Sequence, residues 1–393
     1  MKTNKININK LIEKATKGNL RAQGELGKIY LYGEGTKKNT KAGLWWLNKA
    51  AEGGDEHAMA CLGNAYQWSI GVKKDPVTAL MWFRRSARQG NAYSQYNIGM
   101  FYFFGGAFGF PVKQSYHMAA QWFKKAASGG NSKAQYFLGD AYRRGMGVKR
   151  NLAEAFKWFK KSAKADNVKA QYELGMAYLL GWGTKKNTSL AVDWLRKAAL
   201  AGNGKAQKDL AMCYFGVNGV PHNFKKAVYW ARISAKQGNA GGLNALAAAY
   251  WYGKGVRTNK RKAVILWEKA ALKGDSSSQF YTGRAYFYGS GTKKDYKKAV
   301  HWFKEAIKGG DEQAQTYLGS CYHQGLGTRK NFKKSFHCWQ TGARQNDIDS
   351  QYYLGLSYLN GHGISKNLLL AKKWLKKAAE NGHKQANIML AKL

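Results

Sequence analysis

The side chains best suited to chemistry in this 393-residue chain are four that fall close together: Cys321, His323, His337 and Cys338. Thiolate and imidazole are ligands that zinc prefers, so the set has the composition of a metal site. Its spacing argues against one. The close C-x2–4-C pairing of structural zinc sites is missing. Cys321 also stands where neighbouring units carry Ala or Cys, and Cys338 where they carry Trp, so both read as interior residues. His57, His117, His222, His301, His362 and His383 fall at unrelated positions and suggest no shared site. There is no phosphate loop, nucleophile elbow or carboxylate pair. The sequence therefore predicts no metal, no cofactor and no enzyme.

Charge is the conspicuous feature. The chain carries 65 Lys+Arg against 22 Asp+Glu, a formal net of +43. Such a field attracts acidic proteins and polyanions, nucleic acid included, without selecting among them. No acid occurs from Pro76 to Gly139 or from Leu210 to Trp267. Cys61, Cys213, Cys321 and Cys338 do not recur at a fixed register, as a disulfide framework would require, so a reducing compartment is expected. Residues Met1 to Asn9 are basic and polar with no apolar stretch behind them. That reads as a cytoplasmic protein without a signal peptide, leaving export as an effector open. Residues 89–112 are uncharged and aromatic, with Phe101, Tyr102, Phe103, Phe104, Phe108 and Phe110, but Gln95 and Asn97 fall early and Gly105, Gly106, Gly109 and Pro111 interrupt them. The apolar part is too short for the roughly 20 continuous apolar residues of a membrane span.

What positions these residues is a repeat. Gly27, Gly63, Gly99, Gly139, Gly175, Ala211, Ala247, Gly283, Gly319, Gly355 and Ala391 follow one another by 36, with a single step of 40. The four extra residues lie between Phe103 and Ser115, in a loop. Three positions after each of the first ten stands a tyrosine: Tyr30, Tyr66, Tyr102, Tyr142, Tyr178, Tyr214, Tyr250, Tyr286, Tyr322 and Tyr358. With Leu or Ile before the small residue, this spacing draws one apolar stripe of a helix, here termed A. A G-x-G turn such as Gly33 and Gly35 stops it. Asn39, Asp75, Ser115, Asn151, Asn187, Asn223, Asn259, Asp295, Asn331 and Asn367 then share one register, each able to cap a second helix, B. Helix B carries Trp46, Trp82, Trp122, Trp158, Trp194, Trp230, Trp302 and Trp374, while Trp267 and Trp339 are shifted by one place, leaving Leu266 and Cys338 in the row.

The pattern A-x-x-x-L-G-x-x-Y-x-x-G-x-G, followed by N/D-x-x-x-A, W and A-A-x-x-G, resembles the Sel1-like repeat family, relatives of the tetratricopeptide repeats, over nearly the whole chain. The resemblance implies an all-α, right-handed superhelical α-solenoid of about ten A–B pairs, read as one domain over 1–393, some 100 Å long at about 10 Å per layer. Residues 8–18 form a leading B-type helix, 19–381 the repeats and 382–393 a closing A-type helix. The cap register, commonly Asp in the family, is Asn here in seven of ten repeats. Assembly of protein complexes, or in bacteria host interaction, signalling or toxin neutralisation, is what the resemblance implies for function.

Stacked units turn each position into a ladder. The turns before helix B give Lys37, Lys38, Lys73, Lys74, Lys149, Arg150, Lys185, Lys186, Arg257, Lys293, Lys294, Arg329 and Lys330, an expected anion-attracting rail. A second basic row, through Arg84 and Arg85, Lys124 and Lys125, Lys160 and Lys161, and Arg196 and Lys197, is expected to face away from the Trp stripe. Helix A of the related tetratricopeptide repeats lines a concave face. The aromatics at its variable positions, Trp251, Tyr252, Phe280, Tyr281, Phe287, Tyr288, Tyr317, Tyr352 and Tyr353, are the candidate partner-binding residues. A monomeric scaffold binding an acidic protein or peptide there is the leading expectation. Single-stranded nucleic acid, stacked on aromatics among cations, is the alternative.

Overall fold

The structure, a computed structural model, describes residues 8–393, with the side chains of Ala107, Phe108 and Asn218 left aside. Residues 1–7, which carry most of the basic N-terminal segment, and the Phe108 side chain therefore lie outside the described residues. The described residues form 22 α-helices and two short 3-10 helices, with no strand among them. Their contacts divide the chain into two compact units, Met1–Ala201 and Gly202–Leu393.

In the first unit a leading helix, Ile8–Thr16, precedes five A–B pairs, from A helix Leu20–Tyr32 with B helix Thr40–Glu52 to Val168–Leu180 with Thr188–Leu200. The second unit holds five more pairs, from Gly204–Tyr214 with Phe224–Lys236 to Ile348–Asn360 with Leu368–Glu380, and a closing helix Lys384–Leu390. The apolar segment at 92–104 is an ordinary A helix, Ala92–Phe104, and the insertion behind it opens as a 3-10 turn, Gly105–Phe108. No helix among the described residues is long and apolar enough to cross a membrane.

Local chemistry sets these lengths. At every A–B turn the cap residue closes two bonds. The Asn151 amide donates to the Tyr142 carbonyl at 2.9 Å, and its Oδ1 accepts from the Glu154 amide at 3.0 Å. The same backbone bond from cap to tyrosine recurs in all ten repeats, at 2.7–3.0 Å. The tyrosine register is thus fixed by its carbonyl as well as by its ring. Nine of the ten A helices end at a residue of positive φ, the exception at Phe215; an example is Gly145 at φ 76°, whose amide returns to the Ala141 carbonyl at 2.8 Å. Its companion Gly147, at φ 71°, runs against the backbone of Tyr116 in the preceding B helix, where a side chain would not fit.

A second row of caps escaped the sequence reading. Asn19, Asp55, Asn91, Asn131, Asn167, Asn203, Asn239, Asp275 and Asp347 start the A helices, each accepting an amide hydrogen bond from three residues on. A glutamine four residues further ties helix A to the helix before it: Gln23 donates to the Ala15 carbonyl at 2.9 Å, Gln135 to Ala127 at 3.2 Å and Gln279 to Ala271 at 3.2 Å.

The core lies between A and B helices. Its large residue on helix B is the position after the Trp row: Leu47, Phe83, Phe123, Phe159, Leu195, Phe303 and Leu375 are buried. Burying each is worth about 1.5–3 kcal/mol. The small residue of the period makes this packing possible, since a Cβ on Gly63 would come within 2.7 Å of Phe83, and one on Gly139 within 2.8 Å of Phe159. Trp267 and Trp339 occupy this inner position, so they are enlarged core residues and not members of the Trp row moved aside.

Candidate protein-binding face

The aromatic candidates all belong to the second unit, on A helices Ala240–Tyr252, Ser276–Tyr288, Ala314–Gln324 and Ile348–Asn360. They divide by depth. Tyr252 and Tyr288 stand out at 60% and 54% exposure, whereas Phe280, at 2%, is part of the core. Phe280 is therefore corrected from partner contact to filler: it packs on Phe303 at 6.4 Å and Tyr317 at 5.6 Å between ring centroids. Phe287 meets Phe303 at 6.2 Å and Tyr317 at 5.8 Å, half-buried. Tyr352 stacks on His383 at 4.2 Å, and Tyr353 on Trp339 at 4.9 Å.

What the fold brings together is a smaller set. Trp251, Tyr252, Trp267, Tyr281, Arg284 and Tyr288 line a cavity of about 50 Å³ where the seventh and eighth repeats meet. Trp267 lies between Trp251 at 5.0 Å and Tyr281 at 4.9 Å, holding both rings in place. Arg284, which the aromatic reading passed over, reaches across: its guanidinium sits 5.6 Å from the Phe280 ring and 5.7 Å from Tyr317. Its Nε is buried and, among the described residues, has no hydrogen-bond partner. A buried donor without a partner is a standing cost that an incoming acceptor removes. Burial, with hydrogen bonding to Tyr288 second, pushes the Tyr317 hydroxyl up to about 12, so it stays neutral beside Arg284.

All thirteen residues of the basic rail are exposed, eight in the first unit and five in the second. Two lie over aromatic rings: Lys294 is 5.7 Å from Tyr296, and Lys330 4.7 Å from Phe332. Half of the second basic row departs from expectation: the second cation of each pair does not face away from the tryptophans but covers one, with Arg85 4.8 Å from Trp82, Lys125 4.7 Å from Trp122, Lys161 4.5 Å from Trp158 and Lys197 4.3 Å from Trp194. Residues three apart on a helix share a face, so each cation lies along its indole; Trp82 is buried and Trp122, Trp158 and Trp194 are half-buried.

Cys321 and Cys338 are buried in the core, where burial raises their thiols to about 12 and about 11. His323 turns instead to His362, 3.2 Å away, and to the ring of Trp339. Among the described residues, the only gathering of three potential ligands is the consecutive run Asp55, Glu56 and His57.

The Sel1 repeat model matches residues 20–55, 57–91, 92–131, 132–167, 168–203, 204–239, 240–275, 276–311, 312–347 and 348–383. The chain is similar to the crystal structure of a protective antigen of uropathogenic Escherichia coli with an SLR fold. That match has a TM-score of 0.88 at 32% identity over 98% of this chain and 83% of that one. A Sel1 repeat protein of Oxalobacter formigenes is similar at a TM-score of 0.60 and 26% identity, over 81% of this chain and 93% of that one. No curated protein matches the chain.

Proposed function

This chain belongs to the Sel1 repeat family, whose members generally mediate protein–protein interactions, and from that premise we propose that it is a non-catalytic scaffold that binds an acidic protein segment on the A helices of its second unit. The observation that carries this is Arg284, which lines a cleft rimmed by the exposed rings of Tyr252 and Tyr288 and whose buried Nε has no hydrogen-bond partner among the described residues. A carboxylate reaching that guanidinium gains a charge-assisted hydrogen bond, and flanking apolar side chains gain the aromatic rims. The net charge of +43 speeds encounter with such a partner, while the cleft supplies specificity.

Binding of single-stranded nucleic acid is the weaker reading. Base stacking needs open ring faces, and along helix B the cations already lie on them.

The test is to capture partners from extract with the native protein and with Tyr252→Ala/Arg284→Ala, after nuclease and at high salt. Loss of a defined protein with the variant supports the scaffold reading. Retention of that protein, or recovery of nucleic acid alone at low salt, refutes it.

A further inference from the structure

Helix B of the ninth repeat, Phe332–Arg344, lacks its row tryptophan: the row reads Trp302, Cys338, Trp374. The two flanking indoles are half-buried and pack on their neighbouring cores. Cys338 is too small to do the same, and a cavity of about 650 Å³ opens beside it, the size of a ligand pocket. Its floor is apolar, formed by Leu318, Tyr322, Phe336 and Cys338, each less than a tenth exposed. Its rim is cationic: Lys304, Lys333 and Lys334 stand exposed around it together with His337, and no acid lines it. None of these residues belongs to the cleft at Arg284.

We infer that this pocket receives a tryptophan side chain presented by an acidic protein segment, which completes the row from outside. Two features select the occupant. Register shows the shape: in eight repeats the chain places an indole of its own at this position, as Trp374 packs beside Leu354 and Tyr358 of its own A helix and Phe336 of the B helix before it. In this repeat the neighbouring turn contributes Ile364, which is 39% exposed and so can close over a ring. Charge shows the surroundings. In six of the eight indole-bearing repeats a cation three residues on covers the ring, as Lys377 does Trp374 at 5.5 Å, whereas that position is Ile233 after Trp230, Glu305 after Trp302 and Thr341 here. The cations sit instead around the mouth, where they meet carboxylates flanking the inserted ring.

The probe is the synthetic peptide acetyl-Asp-Glu-Trp-Glu-Asp-amide, titrated into the full chain by calorimetry beside the same peptide with Ala for Trp. The tryptophan peptide should bind at least about tenfold more tightly than the alanine peptide, the signature of an aromatic anchor. Cys338→Trp, which fills the pocket from within, should abolish that difference while the helical circular dichroism stays unchanged. Should that variant fail to fold, Lys333→Glu/Lys334→Glu, confined to the rim, should weaken the tryptophan peptide by about tenfold or more. Tyr252→Ala/Arg284→Ala should leave peptide binding intact, so that failure of this site and failure of the A-helix cleft are read separately. Equal binding of the two peptides, no binding up to millimolar concentration, or full binding by the filled or rim-reversed variant that folds would overturn the inference.

Discussion

The indole of Trp267 lies nearly parallel to the Tyr281 ring, with centroids 4.9 Å apart and planes 18° from parallel. Two repeats later Trp339 and Tyr353 reproduce the pair at 4.9 Å and 20°. Each indole N–H is anchored to its own A helix, Trp267 to the Asn244 side-chain oxygen at 2.9 Å and Trp339 to the Thr316 carbonyl at 3.2 Å. One side chain thus joins three helices: its own, the A helix before it and the A helix after it. Trp267→Ala should lower stability by about 3–5 kcal/mol, as large core truncations do. Trp267→Phe keeps the stack but leaves the Asn244 oxygen without its donor, a cost of about 1–3 kcal/mol. Urea midpoints of the two variants check the order; equal midpoints for both and the parent would refute the bridging role.

Gly283 lies against Phe303 so closely that a Cβ would come within 2.7 Å of the ring. Both sit inside the packed interior, and the ring cannot retreat without opening space behind it. Gly283→Ala should therefore destabilise by about 1–3 kcal/mol through overpacking. Phe303→Ala alone creates a cavity and should cost about 3–5 kcal/mol. Together they should cost less than the two single effects added, because the new methyl occupies part of the vacated volume. Another repeat already uses this solution, with Ala211 and Ala231 at the equivalent positions, both fully buried. Additive effects in a double-mutant cycle would contradict the packing.

Repetition is what made this architecture readable. Ten tyrosines in one register, with a cap nine residues behind each of nine and thirteen behind Tyr102, cannot arise without a common unit, and the structure places both where the spacing says. Depth was harder. Trp82 and Phe83 are adjacent in sequence, and the larger residue draws attention as the core, yet successive residues point about 100° apart around a helix. Phe83 is fully enclosed, while Trp82 keeps 9% of its surface exposed. The same limit hid the fate of Phe280: whether that position is exposed depends on what the next repeat packs against it, here Tyr317. Arg284 was passed over because one arginine among 65 basic residues carries no signal until its surroundings are known.

Asn151 caps helix Leu152–Lys164 through the Glu154 amide at 3.0 Å. Asn151→Ala should cost about 1 kcal/mol, the usual loss of an N-cap. Asn151→Asp keeps the acceptor and adds a negative charge at the positive end of the helix, which is worth about 0.3–1 kcal/mol at low salt. The asparagines of this register are thus predicted to be replaceable by Asp with no loss of stability. A drop in melting temperature for Asn151→Asp comparable to that for Asn151→Ala would show that the amide group has a role beyond capping.

Three half-buried tyrosines, Tyr96, Tyr136 and Tyr317, have hydroxyls raised to about 12, in each case chiefly by burial. Their phenolate is disfavoured in the folded chain relative to the unfolded one, where tyrosine ionises near about 10. A folded value above the unfolded value means that the stability linked to these groups is complete below pH about 10 and is lost as pH climbs toward 12. Tyr250 behaves oppositely: hydrogen bonding from Lys262 lowers its hydroxyl below the usual range. Absorbance at the phenolate band should therefore rise in stages, with Tyr250 early and a buried class late. Loss of helical circular dichroism should accompany the late stage, and Tyr317→Phe should remove one late chromophore without changing the early rise. If all 24 tyrosines ionise as one class near pH 10 with the helices still intact, the half-buried settings assigned to these three rings are wrong.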